Sequence, residues 1–168
     1  MPRTLILTRH AKSDWSHDGL SDHERPLNAR GAAAAPLIGR ALMDRGLVPD
    51  QVLCSDAVRT QQTWEAMASR MESAPEPELH HDLYHAAPDT MLAHLHRATG
   101  AVVAMIGHNP GIGALAHAIL TGGPAHPAFG TYPTGATLIA EIDDWPGLEN
   151  GRARLVDFFV PRDLPGHP

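Results

Sequence analysis

The sequence predicts an α/β fold in three layers, α/β/α, with helices on both faces of a mostly parallel sheet. Three observations carry that prediction. The short apolar runs Leu5–Leu7, Val52–Cys54 and Ala101–Ile106 have the length and composition of buried strands. Stretches with apolar residues at helical spacing lie between them, so crossover connections make the strands parallel. Two of these runs end in polar residues suited to opening a helix, Ser55-Asp56 and Asn109-Pro110.

The 168 residues are read as one domain, 1–168, long enough to bury a substantial core. Apolar residues make up 43% and charged residues 19%, the balance of a globular chain. No run approaches the roughly 18 consecutive apolar residues of a membrane span, and the start of the chain lacks a signal-peptide pattern. A cytoplasmic location is therefore expected. The single cysteine, Cys54, excludes an internal disulfide and agrees with that location. Its place at the end of an apolar run marks it as a buried small hydrophobe. A formal charge of -6 and the lack of a basic stripe argue against a nucleic-acid partner. Lys12 is the only lysine, so arginines carry nearly all the positive charge.

In order along the chain, Leu5–Leu7 ends in Thr8-Arg9-His10, at the strand end where open α/β sheets bind ligands. Arg9 offers a planar fork of donors for a phosphate or carboxylate. His10 can serve as a nucleophile when neutral. Asp14–Asp22 reads as a loop. Arg25 precedes Pro26, which favours an extended backbone, and Asn28 is a plausible N-cap. Ala34, Leu37, Ile38, Ala41 and Leu42 then follow helical spacing up to Gly46. Pro36 sits awkwardly there and predicts either a kink or a helix beginning just before it. After Val52–Cys54, Ser55-Asp56 supplies caps for a helix burying Trp64, Met67, Ala68 and Met71. Arg59 falls in the first turn, where a cation opposes the helix dipole; a bound anion or a salt bridge to Asp56 or Glu65 would reconcile it.

Ser73–Pro77 reads as a surface connection, and Leu79–Tyr84 as a short edge strand. Pro88-Asp89 opens a helix with Met91, Leu92 and Leu95 inward. Ala101–Ile106 is the strongest strand, and it runs into Gly107-His108-Asn109-Pro110. His108 thus repeats the arrangement of His10, a histidine between a strand end and a helix start. Gly122–Gly135 is a loop. Ala136–Ile142 and Arg154–Val160 read as an antiparallel hairpin, and Pro161–Pro168 as a tail without signal.

Two other patterns lack the residues their chemistry needs. The histidines at 80, 81, 85, 94 and 96 lack the spacing of a zinc site and read as solvated. Gly111-Ile112-Gly113-Ala114-Leu115-Ala116 fits a dinucleotide fingerprint, but Gly122–Gly135 contains no carboxylate to bind a ribose.

Taken together, LILTRHAKSDW, ERPLNARG, VLCSDAVRTQQT and AMIGHNPGIGALA resemble the histidine phosphatase superfamily, with its phosphoglycerate mutase-like fold. The likeness is nearest to the small bacterial branch of SixA-like phosphohistidine phosphatases, and it runs from about Arg3 to Asp163. The resemblance implies that His10 is a nucleophile forming a transient phosphohistidine. It implies that Arg9, Arg59 and His108 surround the phosphoryl oxygens, with Arg25 and Asn109 adding substrate contacts. It implies no metal and no cofactor. Such a site suits phosphoryl transfer, which needs charge on the equatorial oxygens and an in-line nucleophile.

Two departures matter. Ala11 stands where the superfamily usually has glycine. No carboxylate among Glu78, Asp82 and Asp89 matches the glutamate acid of the mutase branch, leaving Asp14, His17, Asp18 and Asp22 as loop candidates. An alkoxide leaving group needs an acid, whereas imidazole protonates near neutrality. The expected substrate is therefore phosphohistidine on a protein, a histidine phosphotransfer protein being one candidate. The chain also lacks room for the cap that encloses small metabolites in larger relatives. The alternatives are a phosphatase of a small phosphate ester or nucleotide, and a module that binds phosphorylated partners without turnover.

Overall fold

A computed structural model describes residues 1–168. The strands are β1 (Arg3–Arg9), β2 (Gln51–Ser55), β3 (Glu78–His80), β4 (Val102–Gly107), β5 (Thr137–Ile142) and β6 (Arg154–Phe159). The helices are α1 (Ala29–Asp44), α2 (Val58–Ala68), α3 (Pro88–His96) and α4 (Gly111–Ile119). One sheet orders the strands β3-β2-β4-β1-β5-β6. The first four are parallel, and β5 and β6 add the antiparallel hairpin the sequence predicts.

The three layers follow from the alternation of side chains along each strand. Leu5 and Leu7 of β1 join Val103 and Met105 of β4 beneath Met91 and Leu95 of α3 and Leu115 and Ile119 of α4. Ile6, Ala104 and Ile106 point the other way, against Ile38 and Leu42 of α1 and Trp64 and Met67 of α2. Each such buried Leu or Ile contributes about 1.5–3 kcal/mol from the area it removes from water. Gly39 lets α1 approach α2 closely, because a Cβ there would collide with the Met67 carbonyl. Cys54 is buried as expected, and burial pushes its thiol up to about 12, which makes it inert. No helix is long and apolar enough to cross a membrane.

Several local expectations are corrected. The first helix starts at Ala29, where the Asn28 side chain accepts from the Gly31 amide at 2.9 Å, and it runs through Pro36. Pro36 forgoes one backbone bond, while buried Ala35 and Ile38 keep the helix on the sheet. The second helix ends at Ala68, so Met71 lies beyond it and only partly buried. Ser55 and Asp56 do not cap it with their side chains; both serve other partners described below. The expected edge strand is shorter, since His81–Leu83 turns into a 3-10 helix. Pro110 takes the cap position ahead of Gly111. The tail is not idle: Leu164 is buried in the smaller core cluster. His94 is buried against Asp82 at 2.8 Å, and His96 contacts the Leu148 carbonyl at 2.7 Å, so neither is a free surface histidine.

Candidate active site

The sheet register assembles the site. Arg9 pairs with Gly107 and Cys54 with Ile106, which brings the next residues, His10, His108 and Ser55, to one edge. The His10 amide donates to the Gly107 carbonyl at 3.0 Å, and the His10 and His108 rings stand 5.3 Å apart.

His10 is 5% exposed. Its Nδ1 lies 2.7 Å from the Ala11 carbonyl, which can only accept, so Nδ1 carries the proton. That leaves the Nε2 lone pair available, and Arg59 Nε donates to it at a long 3.4 Å. Burial lowers the pKa of His10 to about 3, helped by the charges of Arg59, Arg9 and Arg25 and opposed by the Ala11 bond. The ring is neutral at pH 7, the state a nucleophile requires.

His108 is the mirror case. Arg59 Nη2 faces its Nδ1 at 3.4 Å, and a guanidinium can only donate. Nδ1 is therefore the acceptor, and Nε2–H donates to Ser55 Oγ at 2.8 Å. Burial, with His10, Arg59 and His85 nearby, lowers its pKa to about 2.

Asp22 binds the cations together. It lies in the 3-10 turn Asp22–Glu24, and its carboxylate accepts from Arg59 Nη2 at 3.0 Å and from Arg25 Nε and Nη2 at 3.1 and 3.0 Å. The Tyr84 hydroxyl also donates to it, and His85 Nε2 lies 2.9 Å away. Burial opposes ionisation, but the bonds from Tyr84, His85, Arg25 and Arg59 hold the carboxyl well below its usual range. Asp22 is thus an anion and not the weak acid the loop suggested. Its backbone carbonyl also takes Arg59 Nη1 at 2.6 Å, so Arg59 is tied to this turn rather than to Asp56 or Glu65.

Arg25 donates further to Ser13 Oγ at 2.7 Å, and its guanidinium lies 3.4 Å from the centre of the Trp15 ring. Arg9 donates through Nη1 to the Tyr132 carbonyl at 3.2 Å, while its buried Nε has no protein partner. Asn109 lines the cleft but spends its polar atoms on structure: Nδ2 donates to the Thr131 and Tyr132 carbonyls, and Oδ1 accepts from Gly113.

The cleft holds about 290 Å³ and is also lined by Lys12, Trp15, His85 and Thr134. Four cationic side chains face one carboxylate there, an arrangement suited to a multiply charged anion. A larger cleft of about 430 Å³ at the opposite edge of the sheet is lined by Asp143, Asp144 and Glu149, the wrong sign for a phosphate. Of the other acid candidates, Asp14 accepts from Ser16 and pairs with His17, Glu78 accepts from Gln51, Asp82 holds His94, and Asp18 and Asp89 are exposed. None lines the cleft. Sequence reasoning did not place Lys12, Trp15 or His85 in the site, because no periodicity distinguishes them from other loop residues.

Residues 5–84 match the family model described as histidine phosphatase superfamily (branch 1). Over 162 residues the chain is 36% identical to an uncharacterised protein of Mycobacterium tuberculosis strain H37Rv, covering 92% of this chain and 99% of that protein. A structure assigned as the phosphohistidine phosphatase SixA from Nakamurella multipartitia is 28% identical, with a TM-score of 0.81 over 96% of this chain and 97% of that one. A second assigned SixA, from Agrobacterium tumefaciens, is also 28% identical, with a TM-score of 0.80 over 96% and 99% of the two chains.

Proposed function

Since this chain belongs to the histidine phosphatase superfamily, in its SixA-like branch with the phosphoglycerate mutase-like fold, we propose that it removes phosphoryl groups from phosphohistidine on a protein. The observation that carries this reading is a neutral imidazole with an unprotonated Nε2, set among Arg9, Arg25, Arg59 and His108, with no protonated carboxylic acid beside it.

In the first step the Nε2 lone pair of His10 forms a bond to phosphorus while the bond from phosphorus to the substrate nitrogen breaks. The electron pair leaves with the substrate imidazole, which takes its proton from solvent. The arginines hold the equatorial oxygens, and Arg9 Nε, buried without a protein partner, is a donor of this kind. The approaching negative charge raises the basicity of His108 Nδ1, which takes a proton from solvent and donates it to a phosphoryl oxygen while Ser55 holds the ring. In the second step water attacks phosphorus, the bond to His10 breaks, and phosphate leaves. Asp22 holds Arg25 and Arg59 in place throughout, and Asn109 anchors the loop that carries Thr131 and Tyr132.

Asp22 is the single carboxylate of the cleft and is held ionised, so an alkoxide would leave without its help. An imidazole, with a pKa of about 6.5, leaves more easily. The open cleft and the absence of a cap admit a protein-borne group, such as that of a histidine phosphotransfer protein in the cytoplasm. A second reading, hydrolysis of a small phosphate ester, is favoured by His85, an exposed proton carrier on the cleft. The test compares phosphate release from a phosphohistidine-bearing protein and from an aryl phosphate, using native protein and His10→Ala. Faster release from the protein, lost in the variant, supports the proposal. Preference for the ester moves the assignment to the second reading. Binding of either without release leaves a module that only captures its partner.

A further inference from the structure

Beside the catalytic cleft, and independent of the phosphatase reading, His23, Asp56 and His81 converge from three segments of the chain. His23 lies in the 3-10 turn Asp22–Glu24, Asp56 follows β2, and His81 opens the 3-10 turn after β3. His23 Nε2 is 2.7 Å from Asp56 Oδ1, and His81 Nδ1 is 2.9 Å from Asp56 Oδ2. One ligand atom from each of the three lies within 4.8 Å of the others. We infer that this triad is a binding site for a divalent transition metal of the zinc class, with water completing its coordination.

The chemistry of the donors supports this. Two imidazole nitrogens and one carboxylate oxygen form a ligand set that zinc accepts with a fourth position open. The atoms are already gathered, and a modest outward shift of the imidazoles from direct contact with Asp56 would admit an ion at about 2.0–2.2 Å from each. Asp56 has no arginine or lysine partner, so its charge remains available to a cation. The outer nitrogens, His23 Nδ1 and His81 Nε2, make no hydrogen bond to protein. His81 is 76% exposed, which gives the ion a path from solvent. A neighbouring triad, His80, Asp82 and His94, is less suited. There the Arg97 guanidinium lies 3.5 Å from His94 Nδ1 and would set a cation beside the metal.

The site has a consequence for its surroundings. Asp22, next to His23, holds Arg25 and Arg59, and the His23 ring packs edge-on against Tyr84, whose hydroxyl is on Asp22. Zinc would staple that turn to the start of α2 and to the segment after β3, stabilising the folded chain by mass action. The spacing of the ligands along the chain could not show this, because each comes from a different segment.

The test is a titration of Zn²⁺ alone into the native protein, followed by calorimetry and by the melting temperature, with Co²⁺ as a visible probe. The expected result is one equivalent bound, a higher melting temperature and the absorption bands of four-coordinate Co²⁺. Binding should be lost in His81→Ala, an exposed position that leaves the core intact, and in Asp56→Asn. It should persist in Asp82→Ala and in His10→Ala, which disable the neighbouring triad and the catalytic cleft. Absence of saturable binding overturns the inference. So does binding that survives His81→Ala, or that disappears in Asp82→Ala or His10→Ala.

Discussion

The carboxyl ends of β1 and β4 look alike in sequence and differ in chemistry. Each delivers a buried histidine, neutral at pH 7, to the same cleft. The difference lies in the second ring nitrogen. His10 gives its Nδ1 proton to its neighbour's carbonyl and keeps Nε2 as a lone pair. His108 gives its Nε2 proton to Ser55 and turns Nδ1 towards Arg59. A backbone acceptor thus leaves one imidazole with a bare Nε2, and Arg59, which can only donate, leaves the other with a bare Nδ1. Two copies of one residue at equivalent strand ends thus present different ring nitrogens to the cleft.

That comparison breaks first at His10. His10→Ala is expected to reduce phosphate release by more than about 10³-fold, the scale for loss of a covalent nucleophile. Acid-quenched native protein should retain labelled phosphate from a labelled substrate, and the variant none. His108→Ala should retain the covalent label and lose roughly 10²–10³-fold in turnover, as expected for a group that stabilises transferred charge. Equal labelling defects in the two would erase the distinction. Arg59 touches both imidazoles, and Lys cannot reproduce its fork of donors. Arg59→Lys is expected to cost about 10²-fold in kcat/KM, on the scale of one lost oxyanion donor.

Ser55→Ala sharpens the comparison further, because it removes the acceptor of the His108 Nε2 proton while leaving His10 alone. A drop of roughly tenfold in kcat is expected, at the low end for a general acid or base. Nitrogen NMR should report a shifted Nε2–H at His108, which has lost its acceptor, and an unchanged Nδ1–H at His10. The same two rings also act on stability. Both histidines have folded pKa values, about 3 and about 2, below their ordinary value. As pH falls from about 6.5, the unfolded chain takes up protons that the native state refuses, so stability decreases, by up to about 1.4 kcal/mol per pH unit for each ring. Urea unfolding at pH 7 and pH 5 should show the loss. His10→Ala should diminish it, and the resonances of both rings should stay constant over that range.

Much of this arrangement is legible in the sequence. The apolar runs predict β1, β2 and β4, the residues at their ends point to Arg9, His10 and His108, and the family resemblance adds Arg25 and Arg59. All five line the cleft. Local errors arose where a side chain had a stronger distant partner than its local one. Ser55 and Asp56 have the chemistry of caps, but Ser55 serves His108 and Asp56 faces His23 and His81. Pro36 predicts a kink or a late helix start, yet the helix runs from Ala29 through it, because burial of its neighbours outweighs one missing backbone bond.

The pattern of apolar and polar residues settled the strands, their helical crossovers and the side of the sheet that would carry the cations, because burial and capping act over a few residues. It could not settle what Asp22 does. That carboxylate is 37 residues from Arg59, 62 from Tyr84 and 63 from His85, and only the folded sheet brings their donors to it. Nor could it say which nitrogen of each histidine is free. The proton's position follows from the acceptor within about 3 Å, and strand register decides which acceptor that is for His108.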